Sequence, residues 1–284
     1  WYCHVRNFIV GRLSPITLAK ILFREKFGYA IEQEDGKSLN RQMFNLAFQT
    51  PNPLWTIYAD KLAVREFIVS KGLSDILLSV YEVWDSVATI DFSKLPNAFV
   101  LKCNHDNGSA ICVTDKYSLD IKFIKDFYQN RLSKKFGRET AEPHYRNITP
   151  VVFAEELLEN DKSYSSGLVS YKFFSTHGQA EFCQVVYDNC SHEDQKSQIY
   201  RTNDWTQCLG YIIKKEGRMI IPRPTSLTEM LKVVERLSSD IPFCRVDLYE
   251  YHGHVYFSEM TLMPAAGRIE NFSQELLCSI GSKV

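Results

Sequence analysis

Near its end the chain runs Phe243-Cys-Arg245-Val-Asp247-Leu-Tyr249, then Glu250-Tyr-His-Gly253-His254, then Val255-Tyr-Phe257-Ser-Glu259-Met-Thr261. Alternation of apolar and polar residues on both sides of a glycine constrains this stretch to a β-hairpin. Successive strand side chains point to opposite faces, so Arg245 and Asp247 share one face, and Phe257, Glu259 and Thr261 share one face of the second strand. A three-residue tip centred on Gly253 sets Asp247 opposite Glu259 and Arg245 opposite Thr261. Opposed residues have Cβ atoms about 4.5–5.5 Å apart, and two carboxylates that close repel unless a cation sits between them. Hard oxygen ligands on a rigid sheet, with a guanidinium alongside, suit Mg²⁺ carrying nucleotide phosphates. The plain alternative is a surface hairpin with solvated charges.

With 284 residues the chain can bury a sizeable core and form two or three subdomains. A net charge of −1 and a pI near 6.7 offer no bulk attraction to nucleic acid or to an anionic membrane. No apolar run approaches the about 18 residues of a membrane span, and the first residues lack the long apolar core of a signal peptide. The chain starts at Trp1, not Met, as expected of a trimmed chain or a domain of something longer. Cys3, Cys103, Cys112, Cys183, Cys190, Cys208, Cys244 and Cys278 show neither C-x-x-C nor zinc spacing. They read as reduced thiols, several in the core, of a cytoplasmic protein.

Three regions follow along the chain. Residues 1–75 read as a helical N-terminal region. Asp60 is a good N-cap for a helix from Lys61 to Ile68, ended by Gly72. Lys61 and Arg65, four apart at the positive end of that helix, repel each other until an anion docks there. Residues 76–155 turn to strands. The strand Ala98–Lys102 enters Cys103-Asn-His105-Asp106-Asn107-Gly108-Ser109, after which Ala110–Val113 resumes strand character. The backbone N–H groups of such a loop can wrap phosphate oxygens while Lys102 supplies a point charge, although an ordinary hairpin turn would look much the same. The sequence is not a P-loop.

Pro150–Leu158 reads as a buried strand ending in Glu155 and Glu156, where backbone and acid can meet an adenine edge; acids are also common at strand ends. Residues 156–284 complete the chain. His177-Gly178 turns a second hairpin between Tyr171–Phe174 and Phe182–Val186, with His177 as a hydrogen-bonded loop histidine. Asp188–Asp204 reads as a polar, flexible excursion. Ser226-Leu-Thr-Glu229 is a capping box opening a helix, with Leu227, Met230, Leu231, Val234 and Leu237 as its core stripe.

The order of these features resembles the ATP-grasp superfamily, and within it the TupA-like group associated with teichuronopeptide and other cell-surface polymers. The matching residues are Asp60-Lys61 with Arg65-Glu66, Leu95-Pro96 with Phe99–Gly108, and Tyr145-x-x-Ile148 with Pro150 and Glu155. They continue with Tyr171-Lys172, Asp204-Trp205, Arg245-Val-Asp247, Glu259-Met-Thr261 and Pro264-Ala-Ala-Gly267. The resemblance covers residues from about 20 to 270. It implies an α+β ATP-grasp fold in which two α+β subdomains clasp ATP, a central one over 76–155 and a C-terminal one over 156–284.

Carried over residue by residue, the resemblance assigns the α- and β-phosphates to Lys61 and Lys102, with Lys172 as a further ligand. The loop of His105, Asn107, Gly108 and Ser109 closes over the triphosphate, and His105 is an equal candidate for touching phosphate or substrate. Glu155 meets the adenine amino group, completed by the backbone of Glu156 and Leu158. Asp247 and Glu259 bind Mg²⁺, with Thr261 beside them, and Arg245 and Lys102 stabilise charge during transfer. Three positions depart from the family pattern. Thr261 stands where many members have Asn, Ser170 where relatives carry a ribose-binding Asp, and Ser109 in place of a second loop glycine. The ribose contact is then weakened or supplied by another residue such as Asp161.

The activity this implies is ATP-dependent joining of a carboxylate to an amine through an acyl phosphate. The carboxylate would be a uronic acid or acidic unit of a bacterial surface polysaccharide, and the amine an amino acid or small amino alcohol. The protein would belong to a larger polysaccharide-synthesis protein or complex, with the Pro264–Gly267 loop a candidate wall of the acceptor pocket. A kinase on the same scaffold, and a nucleotide-binding scaffold without catalysis, stay open as alternatives.

Overall fold

The computed structural model describes residues 2–188, 195–214 and 216–284. In chain order the elements are α1 (Tyr2–Leu13), α2 (Pro15–Phe27), α3 (Leu39–Phe48), α4 (Trp55–Ala59), α5 (Val64–Ser70), β1 (Val80–Trp84), β2 (Phe99–Cys103), β3 (Ile111–Val113) and α6 (Ile121–Ser133). They continue with β4 (Val152–Glu155), β5 (Ser170–Thr176), β6 (Gln179–Tyr187), β7 (Lys196–Tyr200), α7 (Leu227–Ser238), β8 (Cys244–Tyr251), β9 (His254–Thr261) and α8 (Gln274–Gly281). None of the described helices is long and apolar enough to cross a membrane. Cys103, Cys183 and Cys244 lie in the core, as expected, while Cys190 falls outside the described residues.

The chain divides into two compact units. The first comprises Trp1–Leu18, Pro53–Phe67 and Leu77–Leu158 and carries an antiparallel sheet of order β1-β4-β2-β3. Phe99 and Leu101 of β2 and Val152 and Ala154 of β4 point one way, because alternate residues do. Ile124 and Tyr128 of α6 close over them. Sequence reading expected strands alone in this region. The helix α6 corrects it, capped by Asp120, whose carboxylate accepts from the Phe123 N–H at 2.9 Å. Tyr128 is fully buried, so its hydroxyl needs a partner. It lies 2.8 Å from the Leu101 carbonyl and 2.7 Å from that of Ser109, tying β2 to the loop that follows it.

The second unit comprises Ala19–Asn52, Ile68–Ile76 and Glu159–Val284 and holds a sheet of order β7-β6-β5-β8-β9, every pair antiparallel. Tyr171, Phe173, Val185, Val246 and Leu248 form one buried face, on which α7 packs. The α7 stripe is Leu227, Met230, Val233, Val234 and Leu237, all buried, each contributing roughly 1.5–3 kcal/mol. Val233 takes the place expected of Leu231, which is half-buried. Ser226 is the N-cap, but the capping box does not form. Instead the Ser226 hydroxyl and N–H both donate to Glu250, at 2.5 and 2.9 Å. The opposite face buries Phe174, Phe182 and Phe243 against Leu39 and Met43 of α3 and Leu276, Leu277 and Ile280 of α8. The expected flexible excursion contains β7, a strand whose Ser197, Gln198 and Ile199 are buried.

Candidate functional site

In the second unit the final hairpin forms with the expected pairing. Arg245 lies opposite Thr261 and Asp247 opposite Glu259. The turn is two residues long, His252 at φ 50° and Gly253 at φ 77°, rather than three. A bulge restores the register: Asp247 pairs with Glu259 and Leu248 with Phe257, leaving Ser258 as the extra residue. That extra residue turns Phe257 to the buried side with Leu248, so it does not share the face of Glu259 and Thr261 as alternation alone predicts.

Pairing continues across the sheet, with Gln184 opposite Lys172 and Lys172 opposite Asp247. Lys172, Asp247 and Glu259 therefore form one row on neighbouring strands, with Arg245 and Thr261 in the next row of the same face. Asp247 is 1% exposed. Its Oδ1 accepts from Arg245 Nε at 2.6 Å, and its Oδ2 from Arg245 Nη2 at 2.7 Å and Lys172 Nζ at 2.5 Å. Arg245 Nη2 also donates to Glu259 Oε1 at 2.9 Å and Thr261 Oγ1 at 3.0 Å, and the Thr261 hydroxyl donates to Glu259 Oε1 at 3.3 Å.

Oxygens of both carboxylates thus converge on one cationic nitrogen. A pair of opposed hard-oxygen donors already holding a cation is a donor set that fits Mg²⁺. Three residues beyond Thr261, the Pro264–Gly267 turn holds Ala265 and Ala266 at φ 52° and 53° and Gly267 at φ 72°. Left-handed alanines are strained by about 1–3 kcal/mol each. The Asn40 side chain clamps the exit by bonding both the carbonyl and the N–H of Ile269, at 3.0 and 2.8 Å.

The first unit gathers the other expected residues. Lys102 reaches diagonally across β2 and β4 to pair with Glu155, which is buried while Lys102 is half-buried. The Arg65 guanidinium donates to the Leu78 carbonyl at 2.7 Å; burial lowers its pKa, opposed by the charge of Glu155. The Glu156 N–H donates to the Ser79 carbonyl at 2.9 Å, and Leu158 is buried. Asp60 caps α5 as expected, accepting from the Leu62 and Ala63 N–H groups at 2.9 and 3.2 Å, although regular helix starts only at Val64. Lys61 and Arg65 direct their charges to carbonyls: Lys61 donates to that of Asp106, inside the loop.

Within that loop Ser109 is buried; its hydroxyl donates to Asp106 Oδ1 at 2.5 Å and accepts from the Cys103 N–H at 2.9 Å. Asn107 and Gly108 form the exposed tip, with Gly108 at φ 68°. His105 is 2% exposed, and neither ring nitrogen meets a partner at bonding geometry. Burial lowers its pKa, so the ring is neutral.

Three residues that hold the loop went unassigned in the sequence. Asn104 accepts from the Val151 N–H at 2.9 Å and donates to Asp60 and Thr149, at 3.0 and 3.1 Å. Asp106 accepts from Arg131 at 3.2 Å, and Arg131 also donates to the Asn107 and Gly108 carbonyls, at 3.2 and 2.6 Å. Arg131 lies in the last turn of α6, so the Asp120 cap and the Ile124–Tyr128 spacing were the signal that would have found it. In the second unit Asp161 accepts from the His252 N–H at 2.9 Å and so braces the hairpin turn, while Ser170 is buried within β5.

A family described as TupA-like ATPgrasp matches residues 38–284. The chain belongs to the TupA-like ATP-grasp family. Its mixed helices and antiparallel sheets are the ATP-grasp fold of that family. No curated protein sequence matches the chain significantly. Among solved structures it is similar to D-alanine–D-alanine ligase from Bacillus anthracis complexed with ATP, at 14% identity and TM-score 0.43 over 80% of this chain and 63% of that one. It is also similar to the ATP-grasp ligase PsnB complexed with a minimal precursor, at 11% identity and TM-score 0.44 over 81% and 61%. L-amino acid ligase from Bacillus licheniformis follows at 16% identity and TM-score 0.44 over 78% and 47%. This TupA-like chain therefore spans about half to two thirds of the length of those solved chains. Membership rests on the family match.

Proposed function

We propose that this TupA-like protein is an ATP-dependent carboxylate–amine ligase that attaches an amino acid or small amine to a uronic acid or other acidic unit of a bacterial surface polysaccharide. The observation that carries the reading is the convergence of Asp247 and Glu259 on one cation, with Lys172 and Arg245 at the same carboxylate. A carboxylate nucleophile and a triphosphate are both anionic, so bringing them together requires concentrated positive charge.

In this reading Asp247 and Glu259 hold Mg²⁺, with Thr261 as a neighbouring hydroxyl; the ion supplies neutralisation of phosphate charge. Relieved of those carboxylates, Lys172 and Arg245 turn to phosphate oxygens. Lys61, Lys102 and the Arg131-braced loop from His105 to Ser109 serve phosphate oxygens, and Glu155 with Glu156 and Leu158 serves the adenine. Arg245 and Lys102 stabilise the charge that shifts as the γ-phosphoryl group passes to the substrate carboxylate. The amine then attacks the acyl carbon, the amide C–N bond forms, and inorganic phosphate leaves.

The test is a mass-spectrometric screen that pairs UDP-uronates with amino acids and small amines in the presence of Mg²⁺ and ATP. The expected result is a product at the mass of the amide, with ADP release that requires the amine. ADP release without any amine, ending in a stable phosphorylated compound, would replace the ligase with a kinase.

A further inference from the structure

Away from the proposed nucleotide residues, the second unit holds a cavity of about 360 Å³ between β6, β7, the turn after β7, and α8. At about 30 Å³ per water, that volume takes a molecule of about a dozen non-hydrogen atoms. Its floor is apolar, built by Phe182, Ile199, Leu276 and Ile280, all buried. Three charged residues line it: Arg201, Lys283 and Glu181. Lys283 is paired with Glu181, so Arg201 is the remaining charge of the lining; it is exposed, and Asp204 in the same turn feels its charge. The Arg201 guanidinium makes no hydrogen bond or ion pair with any described residue.

The turn that presents Arg201 is rigidly built. Arg201 and Thr206 pair through an N–H to carbonyl bond of 2.9 Å, and Trp205 donates its N–H to the Arg201 carbonyl at 3.1 Å. Trp205 adopts φ 59°, stacks on Tyr200 at 4.7 Å and donates its ring N–H to the Ile221 carbonyl at 3.1 Å. Arg201 is thus held on a fixed backbone at the mouth of an apolar recess.

The cavity is separate from the carboxylate pair. Phe182 is opposite Phe174, and Phe174 opposite Arg245. With strands about 4.8 Å apart, the cavity floor lies about 10 Å along the sheet from Arg245.

We propose that this cavity is a second ligand site, for a small organic monocarboxylate. The apolar body would lie on the Phe182–Ile199–Leu276–Ile280 floor, and the carboxylate would pair with Arg201 in the bidentate geometry that guanidinium favours. The apolar floor selects an organic anion over inorganic phosphate. The inference stands on the cavity alone and does not depend on the ligase reading.

The test is isothermal titration with 3-phenylpropanoate as the probe. Inorganic phosphate serves as an anion without an apolar body, and benzyl alcohol as a body without a charge. The expected result is saturable binding of 3-phenylpropanoate, with either partial probe at least about tenfold weaker. Arg201→Gln should weaken binding by about the same factor, and Ser279→Trp, which fills the cavity, should abolish it. Thermal melting reports whether each variant is folded. No saturable binding of 3-phenylpropanoate at millimolar concentration, equal binding of phosphate, or unchanged binding by a folded Arg201→Gln variant would each overturn the proposal.

Discussion

Arg245→Met removes the cation that bonds both Asp247 and Glu259, while Lys172 keeps its contact with Asp247. The two carboxylates stand directly opposite on β8 and β9, and Asp247 is almost wholly buried. At about 5 Å and an effective dielectric constant near 20, two like charges repel by about 3 kcal/mol. A chain of this length should lose about 6–12 °C of melting temperature for that energy. If the oxygens form a metal site, Mg²⁺ should take the vacated position. At ten times its dissociation constant a ligand stabilises by about 1.4 kcal/mol, which returns about 3–6 °C. Wild type should respond less, because Arg245 competes for the same oxygens. The assay is a thermal melt of both proteins with and without MgCl₂, against KCl of matched ionic strength. An Mg²⁺ response no larger in Arg245→Met than in wild type would refute the claim that these carboxylates form a cation site.

Two further outcomes follow from the first unit. Lys102→Met leaves Glu155 buried without its partner and should destabilise by about 3 kcal/mol, with Glu155→Gln in the same chain restoring most of the loss in urea titrations. His144 is buried edge-on against Trp55, and desolvation holds its pKa down at about 3. Its neutral folded form is favoured, so its contribution is full above about pH 6.5 and falls by about 1.4 kcal/mol per pH unit below that, down to about pH 3. Urea midpoints at pH 7 and pH 5 should therefore differ more for wild type than for His144→Phe.

The fold was legible where one rule of side-chain direction decides it. Asp247 was set against Glu259 by assuming a three-residue tip; the turn has two residues, and the extra residue Ser258 makes up the difference, so the pairing holds while the turn does not. The bulge at Ser258 was not legible, since an extra residue changes facing without changing composition. Helix α6 was hidden by the strand-like runs on either side of it, and with it went Arg131, whose role comes only from reaching back to the Asp106–Gly108 backbone. Strand β7 was missed because Lys196-Ser-Gln is polar in sequence, yet Ser197 and Gln198 are buried by the segment that returns across them. The capping box at Ser226 failed for a tertiary reason: Glu250, distant in sequence, takes the hydroxyl.

The Asp247–Glu259 pair of the final hairpin is proposed to hold a magnesium nucleotide. Calorimetric titration of ATP into the wild-type chain, with and without Mg²⁺, and into folded Asp247→Asn and Glu259→Gln variants puts this to the test. Saturable, Mg²⁺-dependent binding that each substitution weakens at least about tenfold is expected. ATP binding that is indifferent to Mg²⁺, or that survives both substitutions, would contradict it.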